Sequence, residues 1–368
     1  ISIRKTGSWT FGSPSVLMMF HRRSGTLDAE LTAMNECMPH YYRIPQGHGQ
    51  GAELLMNAEA AFMQGNFSDA QILLEQTYST IASNGQHNIS LCCDFLAARL
   101  SLFQEGVTFV KNPEVKRKEL LPLHNMMWLN IFDSTYAYYY ALIRMPEKIP
   151  ALFKDHMLST VSFLSPCRPM MEMIENQVFL SQKMYAKVIG RSETLLPVCE
   201  KMHYELVSLH VQIQTAAAYA MLGKHHDARQ LLQKALGHAM PDGFLIPFVE
   251  NYTYIKDVLG SINSITPEPF TDRILSLGSV YEQHCLCLSS RNSRPESLNM
   301  LNSREAEIAA LITDRLSNRE IAERLFLSEG TVKQYVNQIY SKLMINGDTR
   351  TKRKQLADLI SSINKGLT

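Results

Sequence analysis

Two amides and an ammonium group share one side of a short amphipathic stretch near the C-terminal end of the chain. From Ser328 to Leu343 the residues run Ser-Glu-Gly-Thr-Val-Lys-Gln-Tyr-Val-Asn-Gln-Ile-Tyr-Ser-Lys-Leu. Wound as a helix at about 100° per residue, this stretch gathers Val332, Val336, Ile339 and Leu343 within about 60° of one another, facing inward. Gln334, Asn337 and Gly330 point the opposite way. Lys333 lies on one flank of that outer face, and Tyr335 and Lys342 lie nearer the other. A polar ridge with positive flanks fits the width of a DNA major groove. There a lysine donates to guanine acceptors or to phosphate, and Gln and Asn pair bidentately with adenine. Glu329 is the one acid on this helix, placed in the first turn where it stabilises the helix dipole or accepts from a cytosine amino group.

Other candidate chemistry is weaker. Gly47-His48-Gly49-Gln50-Gly51 suggests a phosphate loop, but no strand precedes it and it lacks the lysine and spacing such loops need, so it reads as a plain loop. Cys285-x-Cys287 and Cys92-Cys93 have no paired Cys or His partners for a tetrahedral metal site. His225 and His226 are adjacent, so one helix cannot easily aim both rings at one ion. No Ser/His/Asp or Cys/His arrangement supports nucleophilic catalysis. No metal, cofactor or enzymatic activity is expected of these residues. Trp128, Phe132, Tyr136 and Tyr139, with Tyr138 and Tyr140 beside them, recur at three- and four-residue steps. That spacing favours packing against the next helix over a ligand groove.

The elements that must hold the polar ridge are written into the residues before it. Asn302 can cap a helix while Glu305 reaches back to its amide, and Ile308, Leu311 and Ile312 line one face of that helix. Ser317-Asn318-Arg319-Glu320 is a second such box, leading into Ile321, Ala322 and Leu325. After a two-residue turn at Phe326-Leu327, Ser328 caps the third helix. Helix, short turn, helix is the spacing of a helix-turn-helix unit.

The charge is distributed to match. Residues 291–368 hold 13 Lys and Arg against 9 Asp and Glu, a net of +4, whereas the chain as a whole is at +1. A small positive module suits nucleic acid, although a solvated surface has the same balance. With 368 residues and 45% apolar content, the chain is long enough for two or three domains. No run reaches the eighteen or so consecutive apolar residues of a membrane span, and no secretory layout opens the chain. Seven scattered cysteines argue against a disulfide framework. A cytoplasmic protein without membrane contact is the expectation, and the missing initiator Met leaves room for sequence before Ile1.

Upstream of residue 289 the apolar period is helical. We expect an irregular segment over 1–51, broken by Gly and Pro, a helical array over 52–288, a polar linker over 289–297, and the helix-turn-helix domain over 298–368. Within the array, Gly65 and Gly223 each end one helix and admit another, with Ala70 and Ala228 in the second. Tyr185 to Gly190 reads as a weaker copy, which puts Gly190 and Gly223 33 residues apart. This layout resembles tetratricopeptide repeats, whose period is about 34 residues. A generic helical bundle is the plainer alternative.

Leu301-x-x-Arg304-Glu305, Leu316-Ser317-Asn318-Arg319-Glu320-Ile321-Ala322-x-x-Leu325-x-Leu327-Ser328-x-x-Thr331-Val332-Lys333 and Ile339-Tyr340-x-Lys342-Leu343 together resemble the DNA-binding domain of LuxR-type transcription regulators. The resemblance covers roughly the last 65 residues and is too dense for a chance motif. With the repeat layout upstream, the expected chain is all-α: a tetratricopeptide-like solenoid followed by a four-helix LuxR-type domain. By the same resemblance, Lys333, Gln334 and Asn337 read base edges of double-stranded DNA, and Ser328, Thr331, Tyr335 and Lys342 touch its backbone. Tyr335 stands where the family usually has His, and Met344 where it has Gly. The step after the third helix is expanded to Asn346-Gly347-Asp348-Thr349-Arg350, which bears on where the fourth helix, near Lys352 to Ile360, is placed. Relatives dimerise through that helix, so a homo-oligomer is implied.

A helical array before such a domain resembles the large ATP-dependent regulators of the MalT type. In those the array senses a small-molecule or protein inducer, RNA polymerase is a partner, and a nucleotide-binding ATPase lies ahead. No Gly-x4-Gly-Lys-Ser/Thr loop occurs in this chain. The expected function is DNA-binding transcription regulation. The alternative is a helical scaffold that binds proteins and whose terminal domain is dispensable.

Overall fold

The computed structural model describes residues 12–43, 48–82, 86–104, 106–107, 109, 113–292, 301–314, 316–343, 345, 347–348 and 351–357. Every regular element among them is helical. The chain divides into two compact units, Ile1–Leu286 and Cys287–Thr368.

In the first unit, helices buried on nearly all sides alternate with helices buried along a single stripe. The inner set comprises α3 (Ala52–Met63), α5 (His87–Leu100), α7 (Met126–Leu142), α9 (Arg168–Ser181) and α11 (Glu205–Met221). The outer set includes α4 (Phe67–Ile81), α10 (Tyr185–Met202), α12 (His225–Ala239) and α14 (Tyr252–Ile265). Sequence explains the difference. From Leu129 to Leu142 every residue of α7 is buried, as is the run Leu206–Ala218 of α11 apart from the half-buried Ser208. In α10 burial falls on Val188, Ser192, Leu195 and Cys199, and in α4 on Ala70, Leu74, Thr77 and Ile81, steps of three and four residues that trace one helix face. Each inner helix packs on its outer neighbour or on the next inner one, as α9 does on α7, α10 and α11. Phe132, Tyr136, Tyr138, Tyr139 and Tyr140 are buried in this layer, so the aromatic cluster is core. Trp128 is half-buried, with its indole N–H donating to Asn88 at 2.9 Å.

Several turns within the array share one geometry, those at Gly65, Lys183 and Gly223 among them. Gly65, Lys183 and Gly223 adopt φ of 81°, 62° and 75°. In each case the next amide bonds back to a carbonyl five residues earlier: Asn66 to Ala61 at 2.8 Å, Met184 to Phe179 at 2.8 Å and Lys224 to Tyr219 at 2.9 Å. This is the closure that a left-handed residue after a helix permits. Ala70, Val188 and Ala228 follow at the same offset and are fully buried. Gly190, expected to end a helix, lies inside α10 instead. The turn belongs to Lys183, a residue type with no turn signal, so the true spacing to Gly223 is 40 residues rather than 33.

The array curls until its start meets its end. The Leu245 amide donates to the Met63 carbonyl at 2.8 Å, and Gln64 Nε2 to the Asp242 carbonyl at 3.1 Å. Arg99 of α5 pairs with Glu250 of α13 (Ile246–Glu250) at 2.7 Å, enclosed by the rings of Phe62, Phe95 and Tyr138 at 5.0, 5.4 and 5.5 Å. Tyr138 adds a hydroxyl donor to Glu250 at 2.8 Å. Burying that carboxylate is tolerable only because it has these partners.

Within the expected N-terminal segment of loops and one or two short helices, the described residues 12–43 carry two helices that pack into the first unit. A single-turn helix, α1 (Val16–Phe20), buries Val16 to Met19 between α3 and α11. The Leu17 amide donates to Glu59 Oε2 at 2.6 Å, and the Cys92 thiol to the Ser13 carbonyl at 3.3 Å. The next helix is α2 (Leu27–Tyr41). At the other end, α15 (Pro269–Asn292) continues through Ser289 to Asn292, so the first part of the expected linker is helical; residues 293–300 lie outside the described residues.

His21 anchors the N-terminal segment. Its Nδ1 lies 2.7 Å from Glu30 and its Nε2 3.5 Å from Asp242, with the imidazole 1% exposed. Burial alone lowers its pKa, but Asp242 and then Glu30 more than offset this and raise it to about 9. A folded-state pKa above the unfolded one stabilises fully below the ordinary histidine value and loses that contribution as pH rises through about 9. Thermal melts between pH 6 and 10 are expected to show a loss of up to about 3 kcal/mol that His21→Leu abolishes.

Candidate nucleic-acid interface

In the second unit, α16 (Ser303–Thr313), α17 (Asn318–Leu325) and α18 (Glu329–Lys342) enclose a small core. Ile308, Leu311 and Ile312 meet Ile321 and Ala322, and both groups meet Val332, Val336, Ile339 and Leu343, with Leu356 completing the cluster. Both capping boxes are present. Asn302 accepts the Glu305 amide at 2.8 Å while Glu305 accepts the Asn302 amide at 2.8 Å. Ser317 and Glu320 do the same at 3.3 and 2.6 Å. Phe326 closes α17 at φ 54°, and the Leu327 amide bonds back to Ala322 at 2.9 Å. Ser328 then caps α18 by accepting the Thr331 amide at 3.0 Å.

Burying the aliphatic stripe leaves the opposite face outward. Lys333, Gln334 and Asn337 are all exposed. Gln338, one turn beyond Gln334, and Ser341, one turn beyond Asn337, are exposed too and extend the polar ridge. Both lie outside the expected set of site residues, although the same angular count points to them. Ser328 is exposed, and its hydroxyl is 2.8 Å from that of the half-buried Thr331. Tyr335 packs partly against the core.

Lys342, expected at the DNA backbone, has a protein partner. Its ammonium donates to Glu305 Oε1 at 2.8 Å and Oε2 at 2.6 Å. The Glu305 side chain is 2% exposed and that of Lys342 38%. Burial pushes the Glu305 carboxyl up, but Lys342 and the Asn302 amide hold it below its ordinary value. Lys342 therefore fixes α18 against α16 in this unit. A second clamp comes from Arg353, in the helical stretch 351–357, which donates to the Leu316 carbonyl at 3.0 Å and to Asn318 Oδ1 at 2.7 Å. The basic start of the expected fourth helix is thus partly structural, and its continuation beyond 357 lies outside the described residues. Arg304 closes the set by donating to the Leu325 carbonyl at 2.8 Å, at the end of α17.

The remaining candidate groups, Cys287 apart, lie in the first unit. His48 is half-buried in a turn, and most of the Gly47–Gly51 loop is described, without Gly47. All seven cysteines are free, and no cluster of metal-ligating side chains occurs among the described residues. No helix among the described residues is long and apolar enough to cross a membrane.

Three helices, two capping boxes and an outward amide face on the third define a helix-turn-helix domain. Residues 299–353 match the luxR family of bacterial regulatory proteins. The transcriptional regulatory protein LnrK of Bacillus subtilis (strain 168) is 44% identical over 110 residues, covering 29% of this chain and 49% of that protein. The transcriptional regulatory protein DegU of Brevibacillus brevis is 45% identical over 53 residues, 14% of this chain and 22% of its own length. The DNA-binding transcriptional activator DevR/DosR of Mycobacterium tuberculosis is 38% identical over 50 residues, 14% and 23% respectively. The chain thus spans about half the length of the first of these relatives and less of the other two. No solved structure matches the chain at a comparable level.

The Glu305 clamp has a measurable consequence. Lys342→Ala leaves a buried carboxylate without its cation, and the C-terminal transition in calorimetry of the full chain should fall by about 1–3 kcal/mol. Because the Glu305 pKa is lowered by folding, its contribution is present above the ordinary carboxylate value and lost as pH falls through the lowered one. The penalty of the substitution should therefore shrink in acid.

Proposed function

We propose that this protein is a DNA-binding transcription regulator whose α18 docks in the major groove. The observation that carries this reading is the exposed row Lys333, Gln334 and Asn337 on a helix whose aliphatic side is sealed against α16 and α17. Lys333 supplies a donor for guanine or phosphate, and the two amides suit adenine. The match of residues 299–353 to luxR-family regulators supports the same role. Ser328, Thr331 and Tyr335 border the ridge and serve as backbone contacts, with Lys342 holding the helix in place. The action is binding rather than catalysis, with double-stranded DNA and RNA polymerase as partners and a second copy of the chain engaged through the fourth helix.

The helical array is the signal-receiving part in this reading, as in regulators of the MalT type. Its alternation of inner and outer helices supports a tetratricopeptide-like superhelix. A protein-binding scaffold whose terminal domain is dispensable would show no promoter binding that depends on that domain.

Mobility-shift assays with promoter fragments separate the two. Deleting residues 297–368 should abolish binding. Lys333→Ala should weaken it and reduce the slope of log affinity against log salt by about one, through the loss of one phosphate-neutralising charge. Gln334→Ala or Asn337→Ala should cost about 1–3 kcal/mol at one base position and relax the preference there. Unchanged affinity in all three variants would remove α18 from the groove.

A further inference from the structure

We propose that a cleft between α10, α11, α12 and the segment Arg22–Arg23 binds a small hydroxylated anion, one carrying a carboxylate or a phosphate beside its hydroxyl groups. The cleft encloses about 400 Å³, within the range of small-molecule sites, roughly 300–1,000 Å³. Leu196 of α10 and Tyr204 give it an apolar wall, and Arg22, Arg23 and Lys234 bring cations to it from two separate elements.

The charges are unevenly engaged. Arg22 is held in place, donating to the Met202 carbonyl at 3.0 Å with its guanidinium 5.2 Å from the centre of the Tyr204 ring. Arg23 and Lys234 are both exposed. Of the two carboxylates that also line the cleft, Glu205 is bonded to His238 at 2.9 Å, and only Glu200 opposes the cations openly. The balance favours an anion.

Gln212, 4% exposed, also lines the cleft. Its Nε2 donates to Ser208 Oγ at 3.1 Å, and its Oε1 is buried with no hydrogen-bond partner. Turning the amide over lets the Ser208 hydroxyl donate to the oxygen but strands the NH2, so one amide atom stays unmatched in either orientation. A ligand hydroxyl both donates and accepts, and satisfies whichever atom is turned toward it. An anion lacking hydroxyls satisfies only the donor.

The cleft sits where the N-terminal segment leaves the interior. Arg22 and Arg23 come directly after His21, which Glu30 and Asp242 lock, and after Val16–Met19, buried between α3 and α11. An anion held by these arginines acts on the segment that fills the array. This assignment builds on the reading of the array as the signal-receiving part, but its direct test involves no DNA.

Isothermal titration of the full chain with gluconate, glucose 6-phosphate, glucose and sulfate tests it. At least one of gluconate and glucose 6-phosphate should bind, and the stronger identifies carboxylate or phosphate as the preferred anion. Glucose and sulfate should bind at least about tenfold more weakly. The exposed double variant Arg23→Glu/Lys234→Glu should lose at least about tenfold in affinity with the melting temperature of the free protein unchanged. Gln212→Leu, checked for folding by its melt, should narrow the gap between the hydroxylated anion and sulfate. The proposal is overturned if neither hydroxylated anion binds by about 10 mM, if glucose binds as tightly as they do, or if charge reversal leaves affinity intact. Promoter affinity measured with and without the bound anion is a separate readout. No change there, with binding intact, leaves the cleft assigned and overturns the coupling to DNA.

Discussion

The carboxylate of Glu305 lies beneath two helices and bonds to both. One oxygen accepts the amide that starts α16, and both accept the ammonium that ends α18. A group this buried is stable as an anion only while both partners stay in place. The orientation of α18 therefore depends on the start of α16, 37 residues away in sequence. Arg304, the next residue back, ties the same turn to the end of α17. Two adjacent side chains at one helix start thus fix the other two helices. The exposed amides of α18 gain their directional value from this, because base-edge recognition tolerates little rotation of the helix that presents it.

The first unit obeys a constraint of the same kind on a larger scale. Glu250 sits in the interior with Arg99 and Tyr138 as its partners, from α5 and α7, and the Leu245 amide, donating to the Met63 carbonyl, joins the first hairpin to the turn before α13. An open solenoid would leave its inner surface to solvent or ligand. Here the inner surface is met by the chain's own residues Ser13 to His21, which arrive from the sequence preceding the array. Burial pushes the Glu59 carboxyl up to about 7, and the Leu17 amide that donates to it pulls the other way. The segment is held by polar contacts as well as by apolar packing, so it belongs to the core of the array.

Legibility in the residues alone tracks the range of the interaction. The two capping boxes, the Phe326–Leu327 turn and the aliphatic stripe of α18 are all settled within a few residues, and the periodicity of the sequence displays them directly. The outward position of Lys333, Gln334 and Asn337 comes with that stripe. The angular count puts Lys342 toward a flank of the outer face, but an acid 37 residues distant claims it. Arg353 behaves likewise, with partners at Leu316 and Asn318. In the array, glycine marks two turns correctly at Gly65 and Gly223 but misleads at Gly190, because a lysine can adopt the left-handed conformation when surrounding packing offsets the cost, about 1–2 kcal/mol. The burial of residues 13–21 has one local sign, the apolar run Val16-Leu17-Met18-Met19, which the neighbouring Gly and Pro residues obscure.

Physics accounts for why residues 299–353 match a family model. A helix-turn-helix domain must present the same ridge to the same groove, so its cap residues, turn and stripe are all constrained at once, and residues 299–353 match a family on that ground. An array of inner and outer helices needs only a period of burial and a tight turn at fixed offset. Val188 fills the position that Ala70 and Ala228 fill, and Lys183 the position of two glycines, with the turn geometry unchanged. Such latitude erodes sequence likeness while leaving the packing intact. Arg23 and Lys234 of the proposed anion cleft are exposed side chains that this packing does not dictate.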